Sequence, residues 1–176
     1  MKAWVDIYIG LGSNLDQPLQ HVQQAFHELA QHKHLRNAKL SSIYQSKPVG
    51  PQDQPDFINA VAYAQTQLGP HDVLDVLQGL EQAHGRERIR HWGERSLDLD
   101  LLLYGNAQIH TPRLTVPHAH MLQRSFVLYP LADLVPNLCF DNGLNFSREL
   151  NALSFDLELV QKGIWLSPSR SGLYAP

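Results

Sequence analysis

The sequence predicts an α+β fold of the ferredoxin-like type, a two-layer sandwich in which helices pack on a mostly antiparallel sheet. Two β-α-β passages follow each other along the chain, with helices near residues 17–32 and 70–84. In both helices apolar residues recur every three or four positions, whereas the flanking segments are β-branched or alternate between small and apolar residues. The 176 residues are 43% hydrophobic and 18% charged, which is enough for one domain with a buried core.

Each element follows from local residue types. Trp4 to Gly10 is β-branched and aromatic, which predicts the first strand. Pro18 suits the first turn of a helix, Gly69-Pro70 opens the second helix, and Gly85 ends it. In chain order we expect strand 4–10, turn 11–14, helix 17–32, strand 40–46, loop 47–55, strand 58–66, helix 70–84, charged loop 86–96, strand 97–104, edge strand 108–111 and helix 127–134.

Composition excludes several classes of protein. A formal net charge of −3 argues against a general nucleic-acid binder, and the single Cys139 excludes an intrachain disulfide framework or a cysteine-based zinc site. No segment reaches the roughly 20 apolar residues of a membrane span, and the amino terminus meets Asp6 without a long apolar run. We therefore expect a cytoplasmic protein with residues 1–160 as its single domain and 161–176 as a C-terminal extension of unknown role.

Two aspartates lie within a leucine-rich segment that reads as a buried strand. Side chains on a strand alternate with period 2, so Asp98 and Asp100 share one face. Two like charges this close repel each other and resist burial, and a cation held between them resolves both problems. The pair is therefore a candidate metal site. The residues predicted to point the other way are Leu97, Leu99, Leu101 and Leu103.

Arginines cluster around this strand, and no lysine lies among them. The guanidinium fork grips carboxylates and phosphates with two parallel hydrogen bonds, which lysine does not do. Beside paired aspartates this favours a polyphosphate bound as its magnesium complex. The alternative is a charged loop in which the arginines pair with acids such as Glu87 and Glu94. The arginines are Arg86, Arg88, Arg90, Arg95, Arg113 and Arg124.

A second candidate site follows the Pro-rich loop. Phe57 and Asn59 share a face at the start of a strand, and a ring beside an amide suits a flat heterocycle, although an aromatic at a strand start more often belongs to the core. Gly12 to Asn14 predicts a tight turn with a polar scaffold that borders a site. His118, after Pro117, is a candidate hydrogen-bond donor to a phosphate. The sequence carries no P-loop motif.

Four segments together resemble the 6-hydroxymethyl-7,8-dihydropterin pyrophosphokinase family over about residues 5–160. They are Gly12–Asn14, Gly50–Asn59, Trp92–Asp100 and Arg113–His118. The resemblance implies an enzyme of folate biosynthesis that moves a pyrophosphoryl group from MgATP to the hydroxymethyl oxygen of the pterin and releases AMP. It also implies the ferredoxin-like fold that the pattern predicts.

The resemblance implies a role for individual residues. Asp98 and Asp100 would hold two Mg²⁺ ions, and Arg86 and Arg95 would grip the transferred phosphates. The residues that would contact ATP are Gln78, Arg88, Trp92, Leu101 (through its backbone), Arg113, Thr115, His118 and Arg124. Those that would stack on the pterin ring or hydrogen-bond to its edge are Ser46, Lys47, Pro48, Val49, Phe57, Asn59, Trp92 and Phe126.

ATP and the pterin are the only partners that the resemblance implies, with neither nucleic acid nor membrane, and it favours a monomer. One alternative is a non-catalytic module that binds nucleotides without turnover. Arg86, Arg95, Asp98 and Asp100 argue against it, because loss of activity would remove some of these residues first. A nucleic-acid binder that uses the arginines would show steep salt dependence, and the acidic composition disfavours it.

Overall fold

The computed structural model describes residues 2–85, 92–140, 144–167 and 170–174, with side chains described as far as residue 163. The helices are α1 Pro18–Gln31, α2 Pro70–Ala83, α3 Ser125–Leu134 and α4 Phe146–Ala152, with a 3-10 turn at Met121–Gln123. The strands are β1 Val5–Ser13, β2 Leu35–Leu40, β3 Ile43–Ser46, β4 Phe57–Thr66, β5 Asp98–Tyr104, β6 Ile109–His110, β7 Thr115–Val116, β8 Glu158–Gln161, β9 Ile164–Ser167 and β10 Arg170–Tyr174.

The centre of the molecule is an antiparallel sheet with strand order β2-β4-β1-β5. This order follows from two interleaved β-α-β passages, so the predicted α+β class with a mostly antiparallel sheet is confirmed. β3 pairs with the other half of β4, β8 pairs with β3, and β9 and β10 extend the sheet beyond β2. Among the described residues, no helix is both long and apolar enough to cross a membrane.

Two apolar clusters hold the layers together, one on each face of the sheet. α1 and α2 pack on one face, where Phe26 and Leu77 lie against Ile7 and Ile9. α3 and α4 pack on the other face, where Leu128 and others cover the strands. Full burial of each such side chain contributes roughly 1.5–3 kcal/mol before the entropy of ordering is subtracted. The apolar stripes of the helices, spaced three and four residues apart, face the sheet as predicted.

Two predicted boundaries are wrong because strand pairing overrides local pattern. Residues 11–13 continue β1 rather than turning, since Leu11 and Ser13 pair with the neighbouring β4. The predicted strand 40–46 is two strands, β2 and β3, with a break at Ser41. The hydroxyl of Ser41 accepts a hydrogen bond from the backbone N–H of Val61 at 2.8 Å, and its own N–H donates to the Val61 carbonyl at 2.9 Å.

The Asp-bearing strand keeps its predicted alternation except at one position. In the register, Asp98 pairs with Gly12 and Asp100 with Gly10, which places both carboxylates on one face of the sheet. A bulge then interrupts the pairing of β5 with β1. Because of it, Leu103 packs in the cluster under α3 rather than with Leu97, Leu99 and Leu101, so its predicted side is wrong.

A hydrogen-bonded histidine pair joins α1 to the end of α2. Nδ1 of His21 and Nδ1 of His84 are 2.7 Å apart, and Nε2 of His84 lies 3.0 Å from Oε2 of Glu28. Such a contact needs one donor and one acceptor nitrogen, so the two rings cannot both be protonated and keep it. Burial and the neighbouring His84 lower the pKa of His21, against a smaller opposing effect of Asp16.

Acidification is therefore expected to weaken the folded state through His21. Its pKa is lower in the folded chain than its usual value of about 6.5, so between these two values the unfolded chain binds more protons. The contribution of His21 to stability is complete above about pH 6.5 and falls as the pH drops towards the pKa of His21 in the folded chain. We expect the free energy of unfolding, measured with denaturant between about pH 7.5 and pH 5, to fall less in His21→Gln than in the unmodified chain. The glutamine amide can still donate to His84. Parallel pH profiles for the two proteins would contradict this.

Candidate active site

The floor of a pocket lies where β1 runs between β4 and β5. Gly12 pairs with both Asn59 and Asp98, so all three lie side by side on one face. Gly10 likewise lies beside Asp100. Glycines leave the space above the sheet open, because a Cβ at residue 12 would come within 3.4 Å of the Asn59 amide oxygen. The two glycines therefore separate the carboxylates from the amide and create a recess.

The recess deepens into a pocket of about 760 Å³, including its open mouth. The pocket brings together most of the predicted site residues, although they come from elements far apart in the chain. Its polar and aromatic lining consists of Ser46, Lys47, Asn59, Arg95, Asp98, Asp100, His118, Arg124, Phe57, Trp92 and Phe126.

Two aromatic rings line the pocket, and we call the part that they line the aromatic slot. Phe57 lies at the start of β4, and Phe126 lies in the first turn of α3. In the same lining, the Asn59 side-chain N–H donates to the Ser46 hydroxyl at 2.7 Å, which fixes the orientation of the amide. The predicted shared face of Phe57 and Asn59 is confirmed by the register of β4. Aromatic rings beside an amide can hold a flat ring and offer it hydrogen bonds.

Another part of the pocket lining is charged. Nη1 of Arg95 donates to Oδ2 of Asp98 at 2.6 Å, and both side chains are largely buried. His118 Nε2 lies 3.9 Å from Oδ2 of Asp100, beyond hydrogen-bond range. This wall thus combines two carboxylates with hydrogen-bond donors from Arg95 and His118, a set that suits phosphates bound together with a metal cation.

His118 is held in one tautomer and faces the pocket as a neutral ring. Its backbone N–H donates to the Leu102 carbonyl at 3.0 Å, and its Nδ1 accepts from the backbone N–H of His120 at 3.2 Å. The proton of the neutral ring therefore sits on Nε2, on the Asp100 side. Burial lowers the pKa of His118, and the Arg124 guanidinium lowers it further. The ring is placed to donate one hydrogen bond to an anionic oxygen.

A buried polar scaffold fixes the segments behind the pocket. The Asn14 side chain donates to Oε1 of Gln54 at 3.0 Å and to the Pro55 carbonyl at 2.9 Å, and it accepts from the Arg95 backbone N–H at 2.9 Å. Gln54 in turn donates to the Trp92 carbonyl at 2.9 Å. The scaffold role predicted for residues 12–14 is carried by Asn14, which directly follows the end of β1. The part played by Gln54 was missed.

Several predicted ATP-binding residues lie outside the pocket lining. Nη2 of Arg113 donates to Asp75 at 2.6 Å and to Gln78 at 3.3 Å on the exposed side of α2. Thr115 is exposed on β7, and the Leu101 side chain is buried in the core, which leaves only its backbone for a ligand. Pro48, which was predicted to contact the pterin, is buried and is not part of the pocket lining. Arg86 and Arg88 lie outside the described residues.

The acidic residues fit magnesium rather than a metal enclosed by protein ligands. Within residues 2–85, 92–140 and 144–163, no three histidine, cysteine or acidic side chains converge on one point. Mg²⁺ commonly takes only one or two carboxylates and completes its shell with waters and substrate phosphates. Asp98 and Asp100, on one face beside Arg95, match that donor set.

A paired-carboxylate wall beside an aromatic slot, on an antiparallel α+β sheet, defines an enzyme that transfers a phosphate-containing group to a small heterocycle. Comparison with known proteins agrees. Residues 8–136 match the family model of 7,8-dihydro-6-hydroxymethylpterin-pyrophosphokinase. The chain belongs to this family, and it is an ATP-dependent diphosphokinase that transfers a pyrophosphoryl group.

Named relatives extend over most of the chain. The chain is 48% identical over 138 residues to the 2-amino-4-hydroxy-6-hydroxymethyldihydropteridine pyrophosphokinase of Haemophilus influenzae, covering 78% of this chain and 86% of that protein. It is 46% identical over 150 residues to the enzyme of the same name from Pseudomonas aeruginosa, covering 85% of this chain and 93% of the relative.

Solved structures show the same fold. The chain matches a Plasmodium falciparum HPPK-DHPS crystal structure with pteroate at a TM-score of 0.66 and 13% identity, over 86% of this chain and 43% of that one. It matches a second HPPK-DHPS structure, in complex with substrates, at a TM-score of 0.64 and 13% identity, over 84% of this chain and 45% of the other. The chain thus spans less than half the length of these two-part proteins, and they support the fold alone.

Proposed function

We propose that this chain carries out its family's reaction in the pocket described above, with the two substrates in different parts of it. The pterin of 6-hydroxymethyl-7,8-dihydropterin lies in the slot between Phe57 and Phe126, and the ATP phosphates lie along the charged wall. The observation that carries this proposal is the single cavity shared by the aromatic slot, Arg95 and the two aspartates. A non-catalytic binding module would not need the charged wall in this arrangement.

In this proposal the reaction depends on positioning. Asn59 and Ser46 orient the edge of the pterin, with backbone groups of residues 46–49 beside them, so that the hydroxymethyl group points towards the phosphates. Its oxygen forms a bond to the β-phosphorus of ATP, the bond from that phosphorus to the α-phosphate oxygen breaks, and AMP leaves while the hydroxyl proton is lost. Little covalent chemistry is required of the protein, which aligns the groups and offsets their charge.

The charged wall supports the developing negative charge. Arg95 and neutral His118 donate hydrogen bonds to phosphate oxygens. The Arg124 guanidinium, 5.7 Å from the centre of the Phe126 ring, adds a positive charge between the phosphates and the aromatic slot. Asp98 and Asp100 would hold the Mg²⁺ that accompanies ATP, in our proposal as two ions, and bound Mg²⁺ would neutralise phosphate charge. Trp92, 45% exposed at the mouth, is positioned to cover the bound substrates.

The remaining ATP contacts are proposed from the resemblance. Gln78 and Arg113 hydrogen-bond each other beside α2, and with Thr115 and the Leu101 backbone they would hold the rest of the nucleotide. Arg86 and Arg88 complete this set outside the described residues. We propose a monomer as the working form, which the resemblance favours.

Replacing Phe57 with alanine tests the division of the pocket. We expect pterin binding to weaken by roughly ten- to a hundredfold, because stacking on an aromatic ring is worth roughly 1–3 kcal/mol. Binding of a non-hydrolysable ATP analogue should change by less than about threefold. Titration calorimetry with each ligand separately measures both affinities. Trp4→Ala, which removes an exposed ring stacked under Arg36 outside the pocket, is the matched control. Equal losses for both ligands in Phe57→Ala would refute the proposed division.

A further inference from the structure

The two rings of the aromatic slot belong to different parts of the fold. Phe57 is fixed by strand pairing within the sheet, where it faces Ser46 of β3. Phe126 is carried by α3, which packs across the same face of the sheet. The gap between the rings therefore depends on how α3 sits on the strands.

Apolar packing holds α3 on the sheet but does not by itself fix its angle. Leu128 and Leu131 are fully buried against strand residues such as Val61. Contacts of this kind are not directional, so a small slide or tilt of the helix costs little apolar burial. A directional contact adds a further constraint on the position of α3, and with it on Phe126.

Hydrogen bonds from two residues of the segment around β3 converge on one carboxylate of α3. The Tyr44 hydroxyl donates to Oδ2 of Asp133 at 2.8 Å, and the Ser42 backbone N–H donates to the same oxygen at 3.3 Å. Tyr44 is 8% exposed, and it pairs with Asn59 in the register of the sheet. The anchor therefore lies on the pocket face, one row of side chains away from the slot.

An aromatic bridge reinforces this anchor. The Phe155 ring packs edge-on against Tyr44 of β3, with centroids 6.4 Å apart, and against Tyr129 of α3, with centroids 4.9 Å apart. One ring thus contacts the strand side and the helix side at once. Together with Asp133, it couples the tilt of α3 to the position of Tyr44.

We propose that Asp133 and Tyr44 are positioning residues for pterin binding, because they hold α3, which brings Phe126 into the pocket that Phe57 also lines. This inference rests on the proposed function, since it assumes that the slot takes the pterin. Burial raises the pKa of the Asp133 carboxyl, and burial beside Asp133 raises that of the Tyr44 hydroxyl, so the hydroxyl remains the donor of the pair. Neither side chain lines the pocket.

The test compares three variants in pterin and ATP-analogue binding. Tyr44→Phe is expected to weaken pterin binding about fivefold, the factor that one net hydrogen bond corresponds to, and Asp133→Ala about tenfold or more. Asp133→Asn keeps an oxygen that can accept both hydrogen bonds and should bind the pterin nearly as well as the unmodified chain. Affinity for the ATP analogue should change by less than about twofold in all three.

A double-mutant cycle with Phe126 separates positioning from a general loss of stability. In a Phe126→Ala background, Tyr44→Phe should no longer affect pterin binding, although it still lowers the melting temperature. The positioning role is overturned if Tyr44→Phe weakens pterin binding equally with and without Phe126. It is also overturned if Tyr44→Phe weakens ATP binding as much as pterin binding. If Phe126→Ala itself leaves pterin affinity unchanged, the proposed slot fails instead. If Phe126→Ala weakens pterin binding while Tyr44→Phe and Asp133→Ala do not, this inference alone fails.

Discussion

An Asp98→Ala variant is expected to lose AMP formation from ATP and hydroxymethyldihydropterin by about a thousandfold or more. Asp98 shares its face of β5 with Asp100 and is bound by Arg95 at 2.6 Å, so its removal takes away a carboxylate and leaves the guanidinium misdirected. Losses of this size are typical where electrostatic stabilisation of a transferred phosphate group is removed. The measurement is initial-rate AMP release at saturating substrates, with circular dichroism to show that the sheet remains intact.

Two further variants separate the effect of the Asp98 charge on turnover from the effect of its side-chain shape. Asp98→Asn keeps the size of the side chain but removes its charge, and it should be nearly as inactive as the alanine variant, because an amide is a poor substitute ligand for Mg²⁺. Asp6→Asn changes a carboxylate on the same sheet face, bonded to Tyr63 and Gln65 away from the pocket, and should retain normal turnover. Normal AMP release by Asp98→Ala would show that the pair is not the metal site.

Asn14→Ala is expected to reduce both stability and turnover, although its side chain is absent from the pocket lining. The asparagine is 1% exposed and makes three hydrogen bonds, including one from the Arg95 backbone. Alanine leaves those buried partners unsatisfied, which should lower the free energy of unfolding by about 2–4 kcal/mol. The Arg95 carbonyl still accepts from the backbone N–H of residue 14 at 3.1 Å, but loss of the partner of the Arg95 N–H loosens the segment. We expect kcat to fall by roughly tenfold, since small displacements at a reacting centre are costly.

The matched partner for this prediction is Gln54, which accepts a hydrogen bond from Asn14 and donates one to the Trp92 carbonyl. Gln54→Ala should resemble Asn14→Ala, and the two changes together should cost less than the sum of each alone, because both disrupt one network. Denaturant unfolding and steady-state kinetics measure the two quantities. Additive losses, or a full kcat in a destabilised Asn14→Ala, would contradict the positioning role of the scaffold.

Local rules predicted the parts of the site that depend on a single strand. Alternation alone placed Asp98 with Asp100 and Phe57 with Asn59, because period 2 is fixed by backbone geometry. The same rule was wrong for Leu103, since the bulge arises from pairing with β1 and leaves no mark in the sequence of β5. Helix spacing likewise predicted α1 and α2 to within one or two residues.

The assembly of the pocket was beyond such rules. Gln52 and Gln54 lie two positions apart in the same loop, and nothing local distinguishes them, yet Gln52 is exposed while Gln54 is 6% exposed and holds two distant segments. Phe126 was assigned to the slot only by resemblance, because its helix reaches the sheet through tertiary packing. The long-range partners of a polar side chain are a property of the fold rather than of its own segment.

The hydrogen bonds of Asn14 also bear on the order in which the molecule folds. They join residues 40 and 81 positions apart, in the segments that lead into β4 and β5, the two strands that pair with β1. Closing loops of that length costs chain entropy before any contact repays it. A nascent chain that ends before β5 carries Asn14 and Arg95 but lacks both carboxylates of the pocket. The chain therefore becomes able to bind both substrates only when β5 completes the central sheet.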